Sequence, residues 1–100
     1  MKIKANPWAF KIKKYSSGDL NCWERLFGEN NYPIARIVEI ITLDDDKKEY
    51  FCSVSNCFVS EHHFSYTKTF DSIYRSIFWC DIVLSSNDII TEDPFVFLYK

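Results

Sequence analysis

One hundred residues, of which 47% are hydrophobic, suit one globular domain spanning residues 1–100 and exclude a disordered tail. A net charge of −2 argues against a general nucleic-acid binder, and no apolar run reaches the roughly 20 residues that a membrane-spanning helix needs. Aromatic residues make up 18% of the chain, so some rings are expected at the surface, where binding energy tends to concentrate.

In chain order, residues 8–14 (WAFKIKK) set Trp8, Phe10 and Ile12 against Ala9, Lys11 and Lys13, the alternation of a half-buried strand. Pro7 and the lysines suit the edge of a sheet, where a missing N–H and repelling charges discourage further pairing. Residues 19–27 predict a short helix. Leu20, Trp23, Leu26 and Phe27 share a helical face, Asp19 can cap its start, and Gly28 is placed to end it in a left-handed conformation. Residues 34–43 (IARIVEIITL) are rich in β-branched side chains and apolar on both faces, which predicts a central strand. Asp44, Asp45, Asp46, Lys47 and Lys48 form a polar hairpin loop, and 49–54 returns as a strand that Cys57, Phe58 and Val59 can extend after a bulge or turn.

The clearest periodic stretch is 69–80 (TFDSIYRSIFWC). Phe70, Ile73, Tyr74, Ile77 and Phe78 fall on one helical face, and Thr69 can cap the start. Ile82, Val83 and Leu84 form a short apolar run of undecided type. Residues 85–93 read as a loop with Ile89 and Ile90 tucked beneath it, and Phe95 to Tyr99 as a buried strand. The order β-α-β-β-α-β predicts an α+β fold: a single two-layer domain with a mostly antiparallel sheet and two helices packed on one face, the ferredoxin-like arrangement.

No stretch carries a reaction motif. Gly18 and Gly28 are the only glycines, so neither a dinucleotide loop nor a P-loop can be written. Four Cys and two His could supply a nucleophile and a base, but nothing marks one Cys as activated. No enzyme activity and no cofactor are expected. The densest set of metal-ligand types is Cys52, Cys57, His62 and His63, the basis of a zinc-binding alternative. Its spacing is wider than the usual knuckle, and Cys52 alternates with Tyr50 and Val54 on one strand face. The absence of a signal-peptide core before Lys11 points to reduced thiols and a cytoplasmic protein.

Charge is distributed unevenly. Residues 1–18 hold five Lys and no acid, while 76–99 hold four acids and no Lys or Arg. Trp79 would point away from the Phe70–Ile77 face if the second helix continues through Cys80. The functional expectation is therefore a small non-enzymatic binding protein that inhibits a partner by occluding its site, in the manner of toxin-immunity proteins or phage-encoded inhibitors. Trp79 would be the anchor, with Asp81, Asp88, Glu92 and Asp93 as an acidic rim and Asp44, Asp45 and Asp46 as a second patch. These residues call for a basic protein partner. The alternative is a nucleic-acid-binding module using Lys2, Lys4, Lys11, Lys13 and Lys14 with Trp8 and Phe10. An exposed edge at 49–54 would also allow a homodimer through strand pairing.

Overall fold

A computed structural model of the protein describes residues 3–16, 18–42, 46–55, 65–87 and 89–91. The elements in order are β1 (Ile3–Lys4), β2 (Trp8–Tyr15), β3 (Gly18–Phe27), β4 (Tyr32–Thr42), β5 (Lys47–Ser55), β6 (Ser65–Phe70), α1 (Ile73–Ser86) and β7 (Ile89–Ile90). Strands β2 to β6 form a five-stranded antiparallel meander in the order β2-β3-β4-β5-β6, and β1 pairs with β7 in parallel. The expected ferredoxin-like fold with two helices is thus incorrect. The described residues hold a five-stranded antiparallel sheet and one helix.

The error lies in residues 19–27, which are strand β3. Trp23 and Leu26 satisfy a helical period, but Asn21, Trp23 and Arg25 equally satisfy a strand period against Leu20, Cys22 and Glu24. An isolated two-turn helix is marginal in water, whereas this strand hydrogen-bonds to β2 on one side and β4 on the other. Gly28 does adopt positive φ (76°), as does Asn31 (53°), but they shape the β3–β4 turn, which the Asn31 N–H to Gly28 C=O bond closes at 3.2 Å. The pairing slips between Arg25 and Leu26, leaving Ile34 as an extra residue on β4. Such a bulge lets consecutive side chains turn the same way, and both Ile34 and Ala35 enter the core.

The other strand expectations agree with the structure. The lysine-bearing β2 is an edge, β4 is central, and 49–54 lies within β5. Residues 49–54 are not an edge, however, because β6 covers β5's far side. Ser85 and Ser86, read as loop, instead end the helix, and Ile89 and Ile90 form β7 with Ile89 buried and Ile90 exposed; the Ala5 N–H continues that pairing to the Ile90 carbonyl at 2.9 Å. The expected strand at 95–99, the 57–59 extension and the 62–63 segment lie outside the described residues.

The helix starts later and ends later than its sequence pattern predicts. Thr69 and Phe70 belong to β6, Ser72 caps the helix by accepting the Arg75 N–H at 3.5 Å, and the helix absorbs 82–84 before Asn87 caps its end. Its buried stripe is Ile77, Cys80 and Leu84, with Ile73 half-buried at its start and Ser76 and Asp81 flanking it. Tyr74 and Phe78, expected on the core face, are exposed at 56% and 48%. The phase changes because Phe70, which anchored the sequence pattern, sits on a strand. No helix among the described residues is long and apolar enough to cross a membrane.

Candidate functional site

Residues paired across an antiparallel ladder share a face, so the register sorts the sheet into two surfaces. The first carries Trp8, Arg25, Ala35 and Val54 in one row and Phe10, Trp23, Ile37 and Cys52 in the next. The helix lies on this face. The Trp8 indole N–H donates to Asp81 at 3.2 and 3.3 Å, and Trp79 packs its ring 6.0 Å from that of Phe70. Cys80 of the helix shares a hydrogen bond with Cys52 of β5, which together with burial pushes the Cys80 thiol up. The Asn21 amide and the Tyr50 hydroxyl both donate to Glu39, at 3.2 and 3.1 Å.

The second face has no helix on it among the described residues. One row crosses all five strands: Lys11, Cys22, Val38, Phe51 and Thr69. Beside it runs Ala9, Glu24, Arg36, Ser53 and Thr67, and on the other side lie Lys13, Leu20, Ile40 and Glu49. An antiparallel sheet with one solvated face normally alternates apolar and polar residues cleanly. Here Phe51 is 40% and Ile40 43% exposed near the middle of the sheet, with Val38 and Leu20 half-buried next to them.

Glu24 organises the charged flank of this open face. It is only 2% exposed, with Lys11 Nζ 2.8 Å from Oε1 and Arg36 Nε and Nη2 at 2.9 and 2.7 Å from Oε2. Burial alone would raise its pKa, but the hydrogen bonds and charges of Lys11 and Arg36 outweigh that and hold the carboxyl below its ordinary range. The thiol of Cys22, next along β3, is pushed up by burial and then by the Glu24 charge. Lys11, Lys13, Arg36 and Lys47 are the cations of this face, and Glu24 and Glu49 its anions. The surface therefore has an apolar centre and a net positive flank.

Of the residues proposed from sequence as an acidic binding surface, Trp79, Asp81 and Asp46 are among those the structure describes. Asp81 is not a rim residue. It is 5% exposed, under the helix beside Trp8 and 4.0 Å from Arg25 Nε, because the helix phase turns it inward. Burial pushes its pKa up to about 6, against the opposing pull of Arg25 and Trp8. Trp79 is half-buried and packs against the core. Asp46 is exposed at the β4–β5 turn with a positive φ of 54°. Asp44, Asp45, Asp88, Glu92 and Asp93 lie outside the described residues. So do Cys57, His62 and His63, while Cys52 faces the core, buried against Cys80.

Strand alternation also separates the nucleic-acid candidates. Lys11 and Lys13 are on the open face, Phe10 is on the helix face, and Trp8 is buried. Lys4 is exposed in β1, and Lys2 is outside the described residues. Sequence reasoning missed Phe51, Ile40, Val38 and Arg36 as a surface. The available signal was that residues 34–41 are apolar on both faces, while one helix can cover only one of them.

A second exposed stripe, Tyr74, Phe78 and Ile82, follows the outer side of the helix at four-residue spacing, but Tyr74 and Phe78 each have an interaction partner within the chain. A cleft of about 260 Å³ between the β5 hairpin and the helix start mixes Lys47 and Arg75 with Glu49 and Asp71 and selects no sign of charge. No family model matches the chain, and neither a curated protein nor a solved structure matches it.

Proposed function

We propose that this chain is a small binding protein that attaches through the open face of its sheet to an acidic protein surface with an apolar centre, and acts by occluding what it covers. The observation that supports this reading is the exposure of Phe51 and Ile40 in mid-sheet, on the face opposite the helix. Covering the 40% and 43% of these two residues that the fold leaves exposed would contribute about 1 kcal/mol each, at the centre of a complex in which the surrounding contacts chiefly exclude water. Lys11, Lys13, Arg36 and Lys47 on the same face favour a negatively charged partner and speed its approach. This reverses the charge expected of the partner, since Asp81 is buried. The proposed compartment is the cytoplasm, a reading supported by the unpaired, buried thiols of Cys22, Cys52 and Cys80.

The test is affinity capture from the native host followed by calorimetry on the partner recovered. Phe51→Ala and Ile40→Ala should each weaken binding about fivefold, the equivalent of about 1 kcal/mol, and Lys13→Glu should slow association. Trp79→Ala should leave affinity unchanged so long as the fold persists. Unchanged affinity in both open-face variants refutes the reading. Recovery of bound nucleic acid in place of a protein refutes it in favour of the nucleic-acid alternative.

A further inference from the structure

The two edges of the five-stranded sheet differ in kind. Strand β2 carries Lys11, Lys13 and Lys14 along an edge of eight residues, the arrangement by which natural sheets resist pairing with another chain. Strand β6, at the opposite edge, reads Ser65-Tyr66-Thr67-Lys68-Thr69-Phe70. Its first five residues are exposed, it holds a single charge, and it has neither Pro nor Gly. Strand β5 pairs with one side of it, and no described strand pairs with the other.

We propose that β6 is a dimerisation edge that pairs antiparallel with β6 of a second copy of this chain, with Thr67 opposite Thr67 across a two-fold axis, giving a continuous ten-stranded sheet. The register with β5 places Tyr66 and Lys68 on the helix face and Ser65, Thr67 and Thr69 on the open face. A two-fold at Thr67 sets each Ser65 opposite the second copy's Thr69, on the same face. It also sets each Tyr66 opposite the second copy's Lys68. Hydroxyl pairs of this kind are favourable directly across a ladder, and an ammonium beside a ring is attractive. Lys68 already makes one such contact within its own chain, 5.3 Å from the centre of the Phe70 ring. The single charge of the edge thus meets an aromatic ring and never its own copy. Self-pairing of β2 about Lys11, Ile12 or Lys13, the middle of that strand, would set lysine opposite lysine.

The partner is a second copy because the edge is complementary to itself in register, face and charge. The inference is independent of the proposed function. Dimerisation would also double the open face, setting two Phe51 rows side by side in one sheet.

Analytical ultracentrifugation of the full chain across a concentration series tests it. The wild type should pass from monomer to dimer with rising concentration. Thr67→Lys, which places two ammonium groups face to face across the axis, should abolish the dimer while leaving the circular dichroism spectrum unchanged. Directly opposed residues are close enough for a disulfide, so Thr67→Cys treated with oxidised glutathione should give a covalent dimer, and Lys11→Cys on β2 should not. A wild type that stays monomeric throughout, or a dimer that survives Thr67→Lys, overturns the proposal. If Thr67→Lys loses its fold, cross-linking of Thr67→Cys decides: a covalent dimer supports the register, and its absence refutes it.

Discussion

Asp81 makes an unusual prediction about the pH dependence of stability. Its carboxylate lies under the helix, 5% exposed, with the Trp8 N–H on both oxygens and Arg25 Nε 4.0 Å away. Burial lifts its pKa from 3.8 to about 6, more than Arg25 and Trp8 lower it. The folded state therefore holds this proton more tightly than the unfolded chain. The stabilisation is fully present below the unfolded value, and it is lost as pH rises through the folded value. The gap between the two values corresponds to about 3 kcal/mol, most of it lost between about pH 4 and pH 7. Ordinary salt-bridged carboxylates behave in the opposite sense. Urea unfolding of the wild type and of Asp81→Asn across this range isolates the group. The Asn variant removes one negative charge beside Arg25, but that cost is constant with pH and cancels from the slope. The wild type should lose up to about 3 kcal/mol relative to Asp81→Asn as pH rises. Parallel profiles would refute the reasoning, since they would mean that Asp81 titrates alike in the folded and unfolded states.

Glu24 should show the reverse slope. Lys11 and Arg36 hold its carboxyl below 4.5, so its contribution is present above that value and lost as pH falls through the folded pKa; Glu24→Gln should flatten the acid limb of the stability profile. Ile77→Ala and Leu84→Ala, both at 0% exposure against the sheet, should each cost about 2–5 kcal/mol in urea titrations. Ser72→Ala should lower stability by about 0.5–1 kcal/mol, while Thr69→Ala, the cap position that the sequence pattern favours, should leave the helix start intact because Thr69 is in β6. Cys22, Cys52 and Cys80 should react with a thiol reagent in the native protein only as fast as the chain opens, and immediately in urea.

The strands whose pattern admits one period were legible in the sequence, and those that satisfy two were not. Residues 8–14 alternate without ambiguity, and their lysines mark an edge. Residues 34–41 are too β-branched to prefer a helix. Residues 19–27 admit both periods, because Leu20, Trp23, Leu26 and Phe27 share a helical face while Leu20, Cys22 and Leu26 share a pleated one. What decides is two flanking ladders supplied by distant parts of the chain. The same dependence shifts the phase of the helix. Phe70 shares a helical period with Ile73 and Ile77 but lies in the strand, and Cys80 and Leu84 then complete the buried stripe while Asp81 turns inward. Asp81 leaves the expected acidic rim for that reason. An Asp beside a Trp reads as surface, and only the meeting of β2, β3 and the helix reveals a buried carboxylate with two partners.

The open face follows from a mismatch in the number of layers. A sheet whose central strands are apolar on both sides needs two covers, and the described chain supplies one helix. Ile37, Cys52 and Val54 receive it; Val38, Ile40 and Phe51 do not. If that second apolar face were merely tolerated, Phe51→Ser and Ile40→Thr would improve solubility and leave affinity for a captured partner intact. If it is a binding surface, the same substitutions should abolish capture while the cooperative urea transition persists at a lower midpoint, because both wild-type side chains bury part of their area against their own sheet. Loss of binding with the fold retained separates a surface kept for a partner from one that only completes the core.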